Sequence, residues 1–170
     1  MTSDAPEKWR EKVDITYEEY FKPSYSIPHP GIVGLVREME REIGREEAHR
    51  ILAQTAERLT VEGIRRAVEK EPVKSFRDFV EGRKRRGPIS THGTSEETIE
   101  ETDDRLVFNM TECLWAKTWR ELGAPDIGYL WNCMPDFALV RAMHPSLRLR
   151  RSKTLMQGDD RCDFTYYWEE

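Results

Sequence analysis

The hydrophobic period of this chain changes half-way along, and that change constrains the fold more than any other feature. From residue 30 to about residue 70 the apolar side chains recur at helical spacing: Ile32, Leu35, Val36 and Met39, then Ala48, Ile51, Leu52, Leu59 and Ile64 after Gly44. This pattern predicts two amphipathic helices joined near Gly44. Pro72 ends the second, and Phe76, Phe79 and Val80 predict a third, short helix over residues 73–80. Past residue 97 the period shortens: Leu106, Phe108 and Met110 alternate with other residues around the Asp103, Asp104 turn, which predicts a hairpin of residues 98–102 and 105–111. Helices first and antiparallel strands afterwards give an α+β class, with N-terminal amphipathic helices packed on a roughly four-stranded antiparallel sheet in the C-terminal half.

The rest of the chain fits that frame. A length of 170 residues suits one domain over 1–170, with residues 1–28 as an N-terminal segment and the Gly-, Ser- and Thr-rich residues 82–97 as a surface loop. Thr111 is placed to cap a helix running through Trp115, Ala116 and Trp119, with Gly123 as its stop. Residues 125–143 form a further helical stretch that Pro135 splits, with Asn132 capping the second piece. Strands over residues 147–156 and 162–168, turned by Gln157, Gly158, Asp159 and Asp160, close the chain on a hairpin. On the last strand Cys162, Phe164, Tyr166 and Trp168 share a face.

A net charge of −5 and a pI near 5.5 argue against nucleic acid as a partner, because such binders need an excess of Lys and Arg. The one dense basic run, Arg83, Lys84, Arg85 and Arg86, reads as a solvated helix end. No apolar run is long enough for a spanning helix and Met1 to Arg10 lack a hydrophobic signal region, so no membrane partner and a cytoplasmic location are expected. Cys113, Cys133 and Cys162 are an odd number, which rules out a complete disulfide framework and agrees with a reducing compartment. A homo-oligomer stays open.

The same cysteines are the candidates for chemistry. A thiol at a helix start ionises more easily because unpaired N–H groups favour the anion. Cys113 follows its cap Thr111 by two residues, and Cys133 directly follows Asn132. Asp136, three residues past Cys133, is positioned to orient water or accept a proton, or to oppose ionisation of that thiol. Cys162, at the mouth of the last hairpin, is the first choice as nucleophile; plain packing is the competing reading for each cysteine. Arg148 and Arg150 alternate on a strand and could aim together at a substrate carboxylate, against the simpler reading of an exposed basic face. No metal or other cofactor is expected, since the four histidines form no paired motif and the cysteines stand 20 and 29 residues apart. Zinc would require Cys113, Cys133, Cys162 and His144 or Asp136 to converge in space. His49 reads as a solvated residue, His29 as part of a Pro-flanked turn, and Trp115, Trp119 and Trp131 as core.

Three segments in order carry a family resemblance: residues 109–116 around Cys113; Trp131, Asn132, Cys133, Met134, Pro135 and Asp136; and residues 153–164, with Gly158, Asp159, Asp160, Arg161 and Cys162. Together they resemble the L-2-amino-thiazoline-4-carboxylic acid hydrolase family. The resemblance implies a hydrolase that opens a small cyclic amidine-like or amide-like carboxylate. A mechanism consistent with these residues has a thiolate, Cys162 or Cys133, attack the sp2 ring carbon while a nearby acid protonates the leaving heteroatom, with Asp136 activating water and N–H groups near Thr111 and Asn132 stabilising negative charge. The last segment also resembles the ligand-binding domains named after 4-vinyl reductase. That likeness implies a small-molecule sensor or carrier, with or without zinc and without turnover. A structural subunit meeting a partner through an aromatic surface is the third reading.

Overall fold

The computed structural model describes residues 14–16, 19–20, 28–85 and 92–169. Helix α1, Pro28–Ile43, begins on a proline, whose missing N–H is no loss in a first turn. It stops at Gly44, where φ is 85°, a left-handed value that glycine adopts without strain. Helix α2, Arg45–Lys70, follows at once with Glu46 and Glu47 in its first turn and Lys70 in its last, the arrangement the helix dipole favours. Helix α3, Phe76–Lys84, starts three residues later than the periodicity predicted. Ser75 sets the start: its side chain accepts the Asp78 N–H at 3.1 Å. The Asp78 carboxylate in turn accepts the Lys74 N–H at 2.9 Å.

Strand β1, Thr94–Glu101, and strand β2, Arg105–Cys113, form the expected hairpin. It is longer than predicted, so residues 94–97 belong to the sheet and not to the loop of residues 82–97; residues 86–91 of that loop, Arg86 included, lie outside the described residues. Helix α4, Leu114–Glu121, leaves β2 directly and is stopped by Gly123 at φ 65°. A short helix α5, Pro125–Gly128, widens into a π turn, Tyr129–Cys133, before helix α6, Asp136–Met143. The break falls at Pro135, as expected.

Strand β3, Leu147–Arg150, is shorter than predicted. Beyond it the chain turns aside because Asp163 accepts the N–H groups of Ser152 and Lys153 at 2.8 and 2.6 Å. A 3-10 turn, Leu155–Gln157, capped by Thr154, and Gly158 at φ 100° then lead into strand β4, Cys162–Trp168. The sheet is antiparallel in the order β1-β2-β4-β3, confirming the α+β class with four strands.

Two core clusters result. One packs Phe76, Phe79, Val80 and Val140 on the sheet side chains Leu106, Phe108, Leu149, Phe164 and Tyr166. The other gathers Val36, Leu52, Trp119, Ile127 and Met156 among the helices. Cys162 belongs to the first, while Cys113 and Cys133 pack against the second, so the three thiols stand at the seam.

Candidate active site

A bulge brings the first thiol to that seam. Thr94 pairs with Cys113 and Ser95 with Glu112, but Glu96 pairs with Met110, so Thr111 is an extra residue in β2. Because side chains alternate along a strand, an unbroken register would turn Cys113 away from the face of Phe108 and Met110. The bulge restores it to that face. There Cys113, Thr94, Glu96 and Met110 line a cavity of about 180 Å³ that Cys162 enters from β4, and Asn132, Cys133 and Asp136 enter from the π turn and α6. An apolar cavity of roughly 150 Å³ holds one benzene ring, so this space is sized for a single small ring. A larger cavity of about 490 Å³ adjoins it, sharing Thr94 and Cys113 and lined further by Lys117, Arg120 and Asp159.

The cation of the inner cavity is Arg151, whose side chain is only 2% exposed. Its Nη1 donates to Asp136 Oδ2 at 2.7 Å and its Nη2 to the Cys133 carbonyl at 2.8 Å. The guanidinium lies 5.0 Å from the Phe164 ring centroid and 5.3 Å from that of Phe137. Buried charge persists here because a carboxylate and a carbonyl accept from it while aromatic faces cover it.

Burial pushes all three thiols above their ordinary range. Cys113 is raised to about 11, although the N–H groups of Ala116 and Trp115 at the start of α4 pull it down. Cys133 is driven higher still by burial, against the Arg151 charge and with Asp136 adding to the rise. Burial also raises Cys162, whose Sγ accepts the Leu155 N–H at 3.2 Å and feels Arg151. Helix starts do favour thiolates, as the sequence implied, but desolvation outweighs them in this cavity. Labelling by iodoacetamide, read out by peptide mass spectrometry, is therefore expected to reach half its limiting rate at Cys113 near pH 11 instead of 9. The folded state holds this proton more tightly than the unfolded chain, so the linked stability is full below about pH 9 and is lost as pH rises towards 11. A plateau already reached at pH 9 would contradict the buried placement.

Of the predicted site residues, Arg148 and Arg150 stand away from both cavities, while Thr111 lines the outer one and Asn132 the inner one without acting as helix caps. Thr111 is not a cap: Cys113 occupies the N-cap position of α4 with no side-chain cap bond, and Thr111 Oγ1 donates to the Ser95 carbonyl at 3.4 Å. Asn132 caps nothing either; it sits inside the π turn, where its Oδ1 accepts the Trp119 Nε1 hydrogen at 2.6 Å. Arg148 and Arg150 do not meet at the cavity. Arg148 Nε pairs with Glu169 at 2.7 Å and Arg150 lies over the Tyr167 ring, on the sheet face opposite buried Leu147 and Leu149. Arg151, passed over in favour of those two, shares the odd-numbered face with the leucines, and that parity was the signal for it. His144 stacks on Trp168 at 4.3 Å, away from the thiols.

His29 and His49 are also re-read. His29 is buried, edge-on to Trp119 at 4.6 Å. His49 is half-buried, with Nε2 2.6 Å from Glu40 Oε1 and 3.9 Å from Asp126 Oδ2. Among the described residues, Glu40, His49 and Asp126 form the group close enough to share a metal ion. Arg37 already fills the centre, 2.7 Å from Glu40 Oε1 and 3.0 Å from Asp126 Oδ2, so the cluster contains its own cation.

A family model for L-2-amino-thiazoline-4-carboxylic acid hydrolase matches residues 25–166. A search of curated proteins returned no significant match. Among solved structures, the phenol-responsive sensory domain of the transcription activator PoxR with phenol is similar at a TM-score of 0.45 and 10% identity, over 82% of this chain and 73% of that one. Subunit 3 of the trafficking protein particle complex from Naegleria fowleri, covalently bound to palmitic acid, is similar at 0.48 and 12%, over 90% and 95%. No helix among the described residues is long and apolar enough to cross a membrane.

Proposed function

The chain belongs to the L-2-amino-thiazoline-4-carboxylic acid hydrolase family, and from that premise we propose that it opens a small cyclic amidine-like or amide-like carboxylate in the 180 Å³ cavity, with Cys162 as nucleophile. The observation that supports this reading is the convergence of a thiol, a carboxylate and a buried guanidinium on a space that fits one ring.

Since the thiol is protonated at neutral pH, attack and deprotonation go together. Asp136, hydrogen-bonded to Arg151, takes the Cys162 proton as Sγ bonds to the sp2 ring carbon. It passes that proton to the ring heteroatom as the bond from that carbon breaks, giving an open-chain adduct on sulfur. Water then adds to the same carbon, gives a proton to Asp136, and Cys162 leaves and is reprotonated. The net reaction consumes one water. Lys117 and Arg120, at the edge of the outer cavity, are placed to draw the substrate's carboxylate towards the opening.

Acid quenching during turnover of 2-amino-thiazoline-4-carboxylate, followed by peptide mass spectrometry, is expected to find the whole substrate mass added on Cys162. An adduct on Cys133 would move the nucleophile, and undiminished hydrolysis by both Cys162→Ala and Cys133→Ala proteins would sink the covalent mechanism. The burial of all three thiols, which raises each above its ordinary range, favours a second reading, a small-molecule-binding or sensor domain without turnover. Saturable binding of the ring with no product in any quench would select it.

A further inference from the structure

Two carboxylates face the inner cavity, and the mechanism above uses Asp136 alone. The second is Glu96. The β2 bulge sets it opposite Met110 and so on the cavity side of β1. Its Oε2 is held by the Arg83 guanidinium, which is itself fixed in place: the Arg83 side chain is 9% exposed and lies 4.0 Å from the Phe108 ring centroid and 5.6 Å from that of Tyr166. Arg83 is thus not the solvated helix end that the basic run suggested. Among the described residues, the Arg83 pair is the polar contact of the Glu96 side chain, which leaves Oε1 as an acceptor without a donor beside a space for one ring.

We propose that Glu96 is a specificity-determining residue that accepts a hydrogen bond from an N–H group on the ring carbon under attack, and so selects 2-amino rings over 2-oxo rings. The proposal rests on the reading of the cavity as the ring site. A 2-oxo ring of the same shape sets a carbonyl oxygen against Glu96 Oε1, two acceptors facing each other with no proton between them. A site built to hydrogen-bond a group discriminates strongly against the analogue that lacks it, because its own polar atom is left unpaired. Arg83 adds to this by denying the carboxylate freedom to swing away.

The test is calorimetric titration of the full chain carrying Cys162→Ala, with 2-amino-thiazoline-4-carboxylate and with 2-oxothiazolidine-4-carboxylate as probes. The amino ring is expected to bind about tenfold or more tightly than the oxo ring, the span set by one hydrogen bond to a charged group. Adding Glu96→Gln is expected to abolish that preference, since the amide can turn its NH2 towards the oxo oxygen; Glu96→Asp keeps the carboxylate and is expected to keep the direction of preference. A purely structural role for the Arg83 pair would weaken both probes equally. Binding with the preference intact in Glu96→Gln overturns the assignment of Glu96 while leaving the ring site standing. Failure of both probes to bind the Cys162→Ala protein overturns the ring site itself, and this proposal with it.

Discussion

Arg151→Met is expected to cost the fold about 3–5 kcal/mol at pH 7 and to abolish hydrolysis. The substitution keeps apolar bulk against Phe137 and Phe164 but removes the charge that neutralises half-buried Asp136 and the donor to the Cys133 carbonyl. Urea unfolding at pH 7 reads the deficit. The double variant Arg151→Met with Asp136→Leu is expected to recover much of the lost stability without recovering activity, since removing both charges leaves no buried charge unmatched, only the Cys133 carbonyl. A deficit under about 1 kcal/mol would show that the pair does not hold this cavity together.

That ion pair also marks where reading the sequence succeeded and where it ran out. Helix boundaries were legible because they are set locally: Gly44 ends α1, Pro72 follows α2, and Pro135 precedes α6. The sheet was legible because Leu106 and Phe108 on β2, and Cys162, Phe164 and Tyr166 on β4, keep period two with their buried faces inward. The candidate site was only partly so. Its thiols were identifiable, but their meeting depends on contacts far apart in the chain and on two irregularities with no local signature. The bulge at Thr111 reverses the parity of β2 just before Cys113, and the π turn moves Asn132 from a cap to a partner of Trp119. Thiol ionisation was misjudged for a related reason: a helix start is visible in sequence, whereas the desolvation that outweighs it is a property of the packed cavity.

Gly128→Ala is expected to lower Tm by about 10 °C. A Cβ at Gly128 would lie 2.4 Å from Trp119 Cγ, 2.7 Å from Trp119 Cβ and 2.8 Å from Met156 Sδ, all far inside van der Waals contact. Trp119 has no room to yield: it is fully buried, its Nε1 is bonded to Asn132 and His29 presses edge-on against its ring. Relief must come from the backbone of α5 and the π turn, the segment that carries Asn132 and Cys133 into the cavity. Overpacking of this severity costs about 3 kcal/mol or more, and about 2–4 °C of Tm goes with each kcal/mol in a chain of this size. Catalysis is expected to fall with stability, because the same segment sets the cavity wall. Gly63→Ala supplies the contrast: Gly63 is exposed within α2 and nothing lies within 4 Å of its Cβ position, so the gain in helix propensity is expected to raise stability by about 0.5–1 kcal/mol. Matching Tm values for the two variants in a thermal scan would mean that α5 does not pack on Trp119 as described.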